Sequence, residues 1–175
     1  MTFDEFRQLR AYARYDGIYL AVIWIASFAS IVCYPAFPPL SMLCVLLMLS
    51  TPFFVAYRLR LYRQEALGDS ISFGRALLYC LRVFFNAAFC FAIAQWAYMQ
   101  YLDNGRLLTI IRTLVAEKTE QGVFEQLGME PNIIVQAFEQ VTPLEFACSY
   151  LIENILLGAV MSILLAIVMK KGLKN

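Results

Sequence analysis

Apolar residues run almost unbroken through four stretches of the chain: Gly17–Tyr34, Leu40–Tyr57, Ala76–Leu102 and Leu144–Met169. Each approaches or exceeds the run of about 20 residues that carries a helix across a bilayer core. Between the first two lies only "YPAFPP", long enough for a tight turn, so they form an antiparallel hairpin. The last two exceed the span and must tilt or project beyond it. Pro52, inside the second stretch, removes one backbone hydrogen bond and predicts a kink. Ser50 or Thr51 is placed to satisfy the carbonyl it frees.

The segment 103–143 follows a different period. In "RLLTIIRTLVAEK", Leu107, Ile110, Ile111, Leu114 and Val115 recur at helical spacing, as do Ile133, Ile134, Ala137, Phe138 and Val141 in "PNIIVQAFEQV". Asp103 and Asn104 can cap the first of these helices, and Pro131 suits the first turn of the second. Gly122 and Gly128 separate them. The pattern is an all-α, polytopic membrane protein: one domain, four transmembrane helices and a small helical extracytoplasmic cap.

Composition agrees with that reading. The chain is 61% hydrophobic and only 15% charged, against roughly a quarter charged in a soluble domain. Net charge is +1, so its distribution carries more information than its total. Arginines gather in the N-terminal arm (Arg7, Arg10, Arg14) and between the second and third stretches (Arg58, Arg60, Arg63, Arg75), and lysines end the chain (Lys170, Lys171, Lys174). The segment 103–143 is acid-rich. Basic loops stay inside, so both termini are expected in the cytoplasm. The arm, with Phe3, Phe6 and Leu9 on one side, suits a helix at the inner headgroups or a lead-in to the first span. A signal-peptide reading of the first stretch fits less well, because its apolar run continues through Ile31 and Val32.

Several chemistries have no foothold. There is no histidine, the commonest general base and metal ligand. No phosphate-loop, nucleophile-elbow or zinc-protease motif occurs. The five cysteines, Cys33, Cys44, Cys80, Cys90 and Cys148, form no C-x-x-C and read as apolar packing residues. No cofactor, catalytic residue or metal ligand is expected, and nucleic acid is not a partner.

What remains is polar groups at membrane depth. Glu153 and Asn154 sit among leucines and isoleucines in "SYLIENILLGAV". An ionisable group there costs roughly 2.5–3.5 kcal/mol on insertion scales. Gln95 lies at a similar depth, so Gln95, Tyr98 or a hydroxyl is the expected partner. Glu153 has three open roles: a hydrogen-bonded structural group, an ion- or proton-coupling site, or a contact to a ligand or headgroup. Gly158, Ser162 and Ala166 form a stripe of small residues that lets another helix approach. Arg82, with Asn86 one turn on, either snorkels to the headgroups or joins Arg58, Arg60, Arg63 and Arg75 around a lipid phosphate.

Three pieces, "ARYDGIYLAVIWIASF", "STPFFVAYRLRLYR" and "SISFGRALLYCLRVFFNAAF", resemble in order and spacing an uncharacterised bacterial inner-membrane family, a domain of unknown function common in Bacteroidetes. The resemblance covers most of Ala13–Leu102. It implies four helices and, more loosely, a place beside envelope glycosyltransferases that act on polyprenyl phosphate. The leading expectation is a non-enzymatic inner-membrane accessory or scaffold protein in contact with membrane lipids and with a membrane partner or its own copies. A small oligomeric transporter using Glu153 is the alternative, and an enzyme of lipid phosphates ranks last.

Overall fold

The computed structural model describes residues 2–128 and 130–170. Among them are seven helices: α1 (Phe3–Val32), α2 (Leu40–Ala66), α3 (Phe73–Tyr101), α4 (Arg106–Glu120), α5 (Val123–Leu127), α6 (Pro131–Glu139) and α7 (Pro143–Met169). Four of them, α1, α2, α3 and α7, are long and apolar enough to cross a membrane. The fold is all-α. Lys171 and Lys174 lie outside the described residues.

Local signals set the helix ends. Thr2 and Glu5 form a capping box that starts α1: the Thr2 hydroxyl accepts from the Glu5 amide at 3.3 Å, and the Glu5 carboxylate accepts from the Thr2 amide at 2.8 Å. Thr142 and Glu145 repeat the device before α7, where Pro143 occupies the first turn. The Ser72 hydroxyl caps α3. At the head of α4 the Asp103 carboxylate accepts from the amides of Gly105 and Leu107, while Asn104 and Gly105 take positive φ to reverse the chain.

Two boundaries differ from the hydropathy pattern. The arm is the first three turns of α1, because Leu9 and Ala13 are fully buried against the bundle. Likewise α2 runs on to Ala66, carrying Arg58, Arg60 and Arg63 on a helix instead of a loop. Polar side chains end a hydropathy window sooner than they end a helix. Near Pro52, the Ser50 hydroxyl donates to the Leu47 carbonyl at 2.6 Å. Thr51 accepts from the Trp24 indole at 3.0 Å. Neither serves the carbonyl one turn before the proline; their rotamers find other partners.

The long helices are arranged α2–α1–α3–α7, with α3 supplying the largest share of the core. Aromatic rings fill the seams: Tyr62 stacks on Tyr79 at 4.9 Å between centroids, and Phe91 meets the edges of Trp24 and Phe28. Two glycines allow close approaches between helices. A Cβ on Gly17 would lie 2.6 Å from the Asn86 Cβ, and one on Gly158 would lie 2.7 Å from the Phe84 Cβ. Ser162 and Ala166 continue the buried stripe beneath α3. The outward faces of α2 and α7 are apolar and exposed.

Helices α4 and α6 lie across one end, with the single-turn α5 between the two glycines. Leu107, Ile110 and Phe146 form a second small core, which Leu114 and Phe138 flank half-buried. Arg112 pairs with Glu139 at 2.5 Å across the cap. The Tyr34 hydroxyl ties the α1–α2 turn to α4 by donating to the Glu117 carboxylate at 3.1 Å. That bond, with some loss of solvation, pushes the Tyr34 phenol above its ordinary range.

Candidate functional site

At the end opposite the cap, α1 and α3 flank an open recess of about 550 Å³, within the size range of ordinary ligand sites. Its walls include Phe6, Arg7, Arg10 and Arg14 from α1, and Arg82 and Asn86 from α3. The helical period explains the grouping. Leu9, Ala13 and Gly17 turn inward against α3, which leaves the intervening arginines along the rim of the same interface. The Asn86 amide donates to the Ala13 carbonyl at 3.3 Å and pins the two helices at the cavity's inner end. The Arg82 guanidinium lies 5.0 Å from the centre of the Phe6 ring, and that of Arg10 lies 5.9 Å from the same ring. One aromatic ring thus meets two cations.

The electrostatics are one-sided. Among the described residues none of Arg7, Arg10, Arg14 and Arg82 forms an ion pair. The Nε of Arg82 is buried and has no hydrogen-bond partner. Two nearby acids are engaged elsewhere, Glu5 with Arg75 at 2.7 Å and Asp16 with Arg58 and Tyr79, while Asp4 is exposed in the first turn of α1. Arg7, Arg10 and Arg14 are exposed and Arg82 is half-buried; four guanidiniums without ion pairs along one open recess suit a phosphate or another multivalent oxyanion.

The arginines grouped from sequence do not converge. Arg58 turns into the core against Asp16. Arg63 bonds Asp69 at 3.0 Å and the Met169 carbonyl at 3.1 Å, tying α2 to the end of α7. Arg75 holds Glu5 of α1, and Arg60 is exposed on α2. Arg82 meets the arm instead. Its new companions were legible as a basic run, but nothing in the sequence placed that run against α3.

Nor do the intramembrane polar residues meet. Gln95 is fully buried, with neither amide atom hydrogen-bonded, and the buried Tyr98 hydroxyl lies near Asp103. Asn154 is buried and donates to the Tyr150 carbonyl at 2.7 Å. Glu153 is exposed on the outer face of α7 between Ile152 and Leu156, and makes no hydrogen bond or ion pair among the described residues. Consecutive helical residues diverge by about 100°, so burying Asn154 on the stripe of Gly158 and Ser162 turned Glu153 outward. The expected pairing of Glu153 with Gln95 or Tyr98 is absent for that reason.

The polar node that sequence reasoning missed is Asp16. It is 1% exposed, accepts from the Tyr79 hydroxyl and pairs with Arg58. Its only signal was an acid at the head of the first apolar run, which reads equally well as a boundary residue. Among the described residues no three His, Cys, Asp or Glu side chains gather as a metal site.

A family model described as a protein of unknown function (DUF4199) matches residues 15–171. No curated protein and no solved structure matches the chain.

Proposed function

The chain belongs to the DUF4199 family of proteins of unknown function, and we propose that it is a non-enzymatic accessory or scaffold protein of the bacterial inner membrane. In this reading both termini are cytoplasmic and the α4–α6 cap faces outward, which the distribution of basic residues supports. The protein serves envelope biogenesis by docking beside an enzyme that acts on polyprenyl phosphate.

The observation that supports docking is Glu153. At 1.5 Å per residue it sits about 15 Å from the start of α7 and within about 5 Å of the helix midpoint. It is exposed there among exposed Ile152, Leu156 and Leu157. A carboxylate facing hydrocarbon at that depth is costly, whereas one facing a hydrogen-bond donor on a neighbouring helix is not. The outer face of α7 is therefore read as an interface.

A photocrosslinker placed at Leu157 in native membranes tests this. The expected product is an adduct with one stoichiometric membrane enzyme whose activity on polyprenyl phosphate falls when Glu153 is replaced by leucine. Adducts to lipid alone would overturn the proposal. Adducts only between copies of this chain, together with ion flux that requires Glu153, would replace it with a transporter.

A further inference from the structure

The arginine cavity does not end at Arg82. A second cavity, about 410 Å³, opens on the other side of Arg82 and Asn86, between α3 and α7. Leu81, Phe85, Ile155 and Ala159 line it, and Phe85 is 54% exposed at its margin. Arg82 and Asn86 belong to both walls. One compartment is cationic and aromatic, the next is apolar and open to the side, and two polar residues stand between them.

We propose that the two cavities are one bipartite site for a phosphate-bearing lipid. The phosphate lies among Arg7, Arg10, Arg14 and Arg82, and one hydrocarbon chain lies in the groove between α3 and α7. The proposal goes beyond the docking reading and does not depend on it. Charge complementarity chooses the head: the recess carries guanidiniums with no acid among its lining residues. Arg82 brings a half-buried guanidinium without an ion pair to the same recess, and a phosphate oxygen is a fitting acceptor for it. The shared wall chooses the tail, since Arg82 and Asn86 line both compartments. A free phosphate would use only the first compartment, whereas an amphiphile uses both and enters sideways from the membrane past Phe85.

The full chain in phosphatidylcholine nanodiscs, with a trace of phosphatidic acid carrying a mid-chain diazirine, tests the site. Adducts are expected on Phe85, Ile155 or Ala159. Their yield should fall about tenfold in Arg10→Gln/Arg82→Gln, the loss of one to two charge-assisted contacts. Ala159→Phe and Ile155→Trp fill the groove at separate points and should move the adducts elsewhere. Should both variants unfold, the adduct map of the unaltered protein still decides. Adducts that match those of a diazirine phosphatidylcholine, or that ignore the arginine changes, overturn the whole site. Arginine-dependent adducts that form only outside the groove overturn the bipartite arrangement. Loss of adducts to inorganic phosphate as readily as to dihexanoyl phosphatidic acid does the same, and assigns the recess to free phosphate.

Discussion

Asp16 on α1 and Arg58 on α2 form an ion pair whose acid is 1% exposed. The same carboxylate accepts the hydroxyl of Tyr79 on α3, so one side chain joins three of the four long helices. Removing one partner of such a pair strands the other, which costs more than the pair itself contributes.

Asp16→Asn keeps the volume and removes the charge. It should lower stability by about 2–3 kcal/mol, below the fully buried range because Arg58 keeps some contact with solvent. Replacing the set together (Asp16→Leu, Arg58→Met, Tyr79→Phe) should cost less than Asp16→Asn alone. Denaturant unfolding in a neutral detergent measures both; a costlier triple variant would mean that the node contributes net stability.

Gly17 is a point of close approach between α1 and α3. Gly17→Val would drive its side chain into the Asn86 Cβ at 2.6 Å and the Val83 carbonyl at 2.9 Å. Overpacking of this kind costs about 1–3 kcal/mol. Adding Asn86→Gly should recover only part of it, since the Val83 carbonyl stays where it was. Full recovery would place the strain in the side chain alone.

Gln95 carries a buried amide with no partner at either atom. Leucine has nearly its size without the desolvation penalty. Gln95→Leu should therefore raise stability by about 1 kcal/mol, read as a higher midpoint in thermal unfolding. A lower midpoint would show that the amide is hydrogen-bonded in the membrane.

The Tyr34–Glu117 contact should be visible in a titration. The neighbouring carboxylate raises the Tyr34 phenol, so the bond is intact below the ordinary tyrosine value of about 10. It is lost as pH rises through the raised one. Phenolate absorbance, with Tyr34→Phe as the blank, should show Glu117→Gln moving Tyr34 back toward its ordinary value. No movement would mean that the cap does not rest on the α1–α2 turn.

Much of the fold could be read from residue patterns, because long apolar runs, capping residues and glycines act locally. Gly122, Gly128, Pro131 and Asp103 each stand at an element boundary. The polar sites were less legible, since membership of a cluster depends on which helix lies opposite. Arg58 and Arg82 read alike in the chain as basic residues near a helix end. In the fold the first turns toward Asp16 and the second toward Phe6. Only the pairing of α1 with both α2 and α3 separates them.

Glu153 gives the sharpest test of what surrounds the bundle. From the sequence a leucine there would be expected to strand a polar partner. In the structure Glu153 makes no hydrogen bond or ion pair among the described residues, and exposed apolar side chains flank it, with Tyr150 one turn away. In the isolated protein Glu153→Leu should therefore be neutral or stabilising, because it removes a carboxyl from an apolar face. In native membranes the same change should weaken association across α7, since a donor on the neighbour loses its acceptor. Glu153→Gln separates the forces: an interface held by a hydrogen bond survives it, and one held by charge does not. Copurification of the three forms from membranes, set beside their thermal midpoints in detergent, measures both halves. Unchanged association of the leucine form, or its destabilisation in detergent, would place Glu153 outside any interface and return its partner to the bundle.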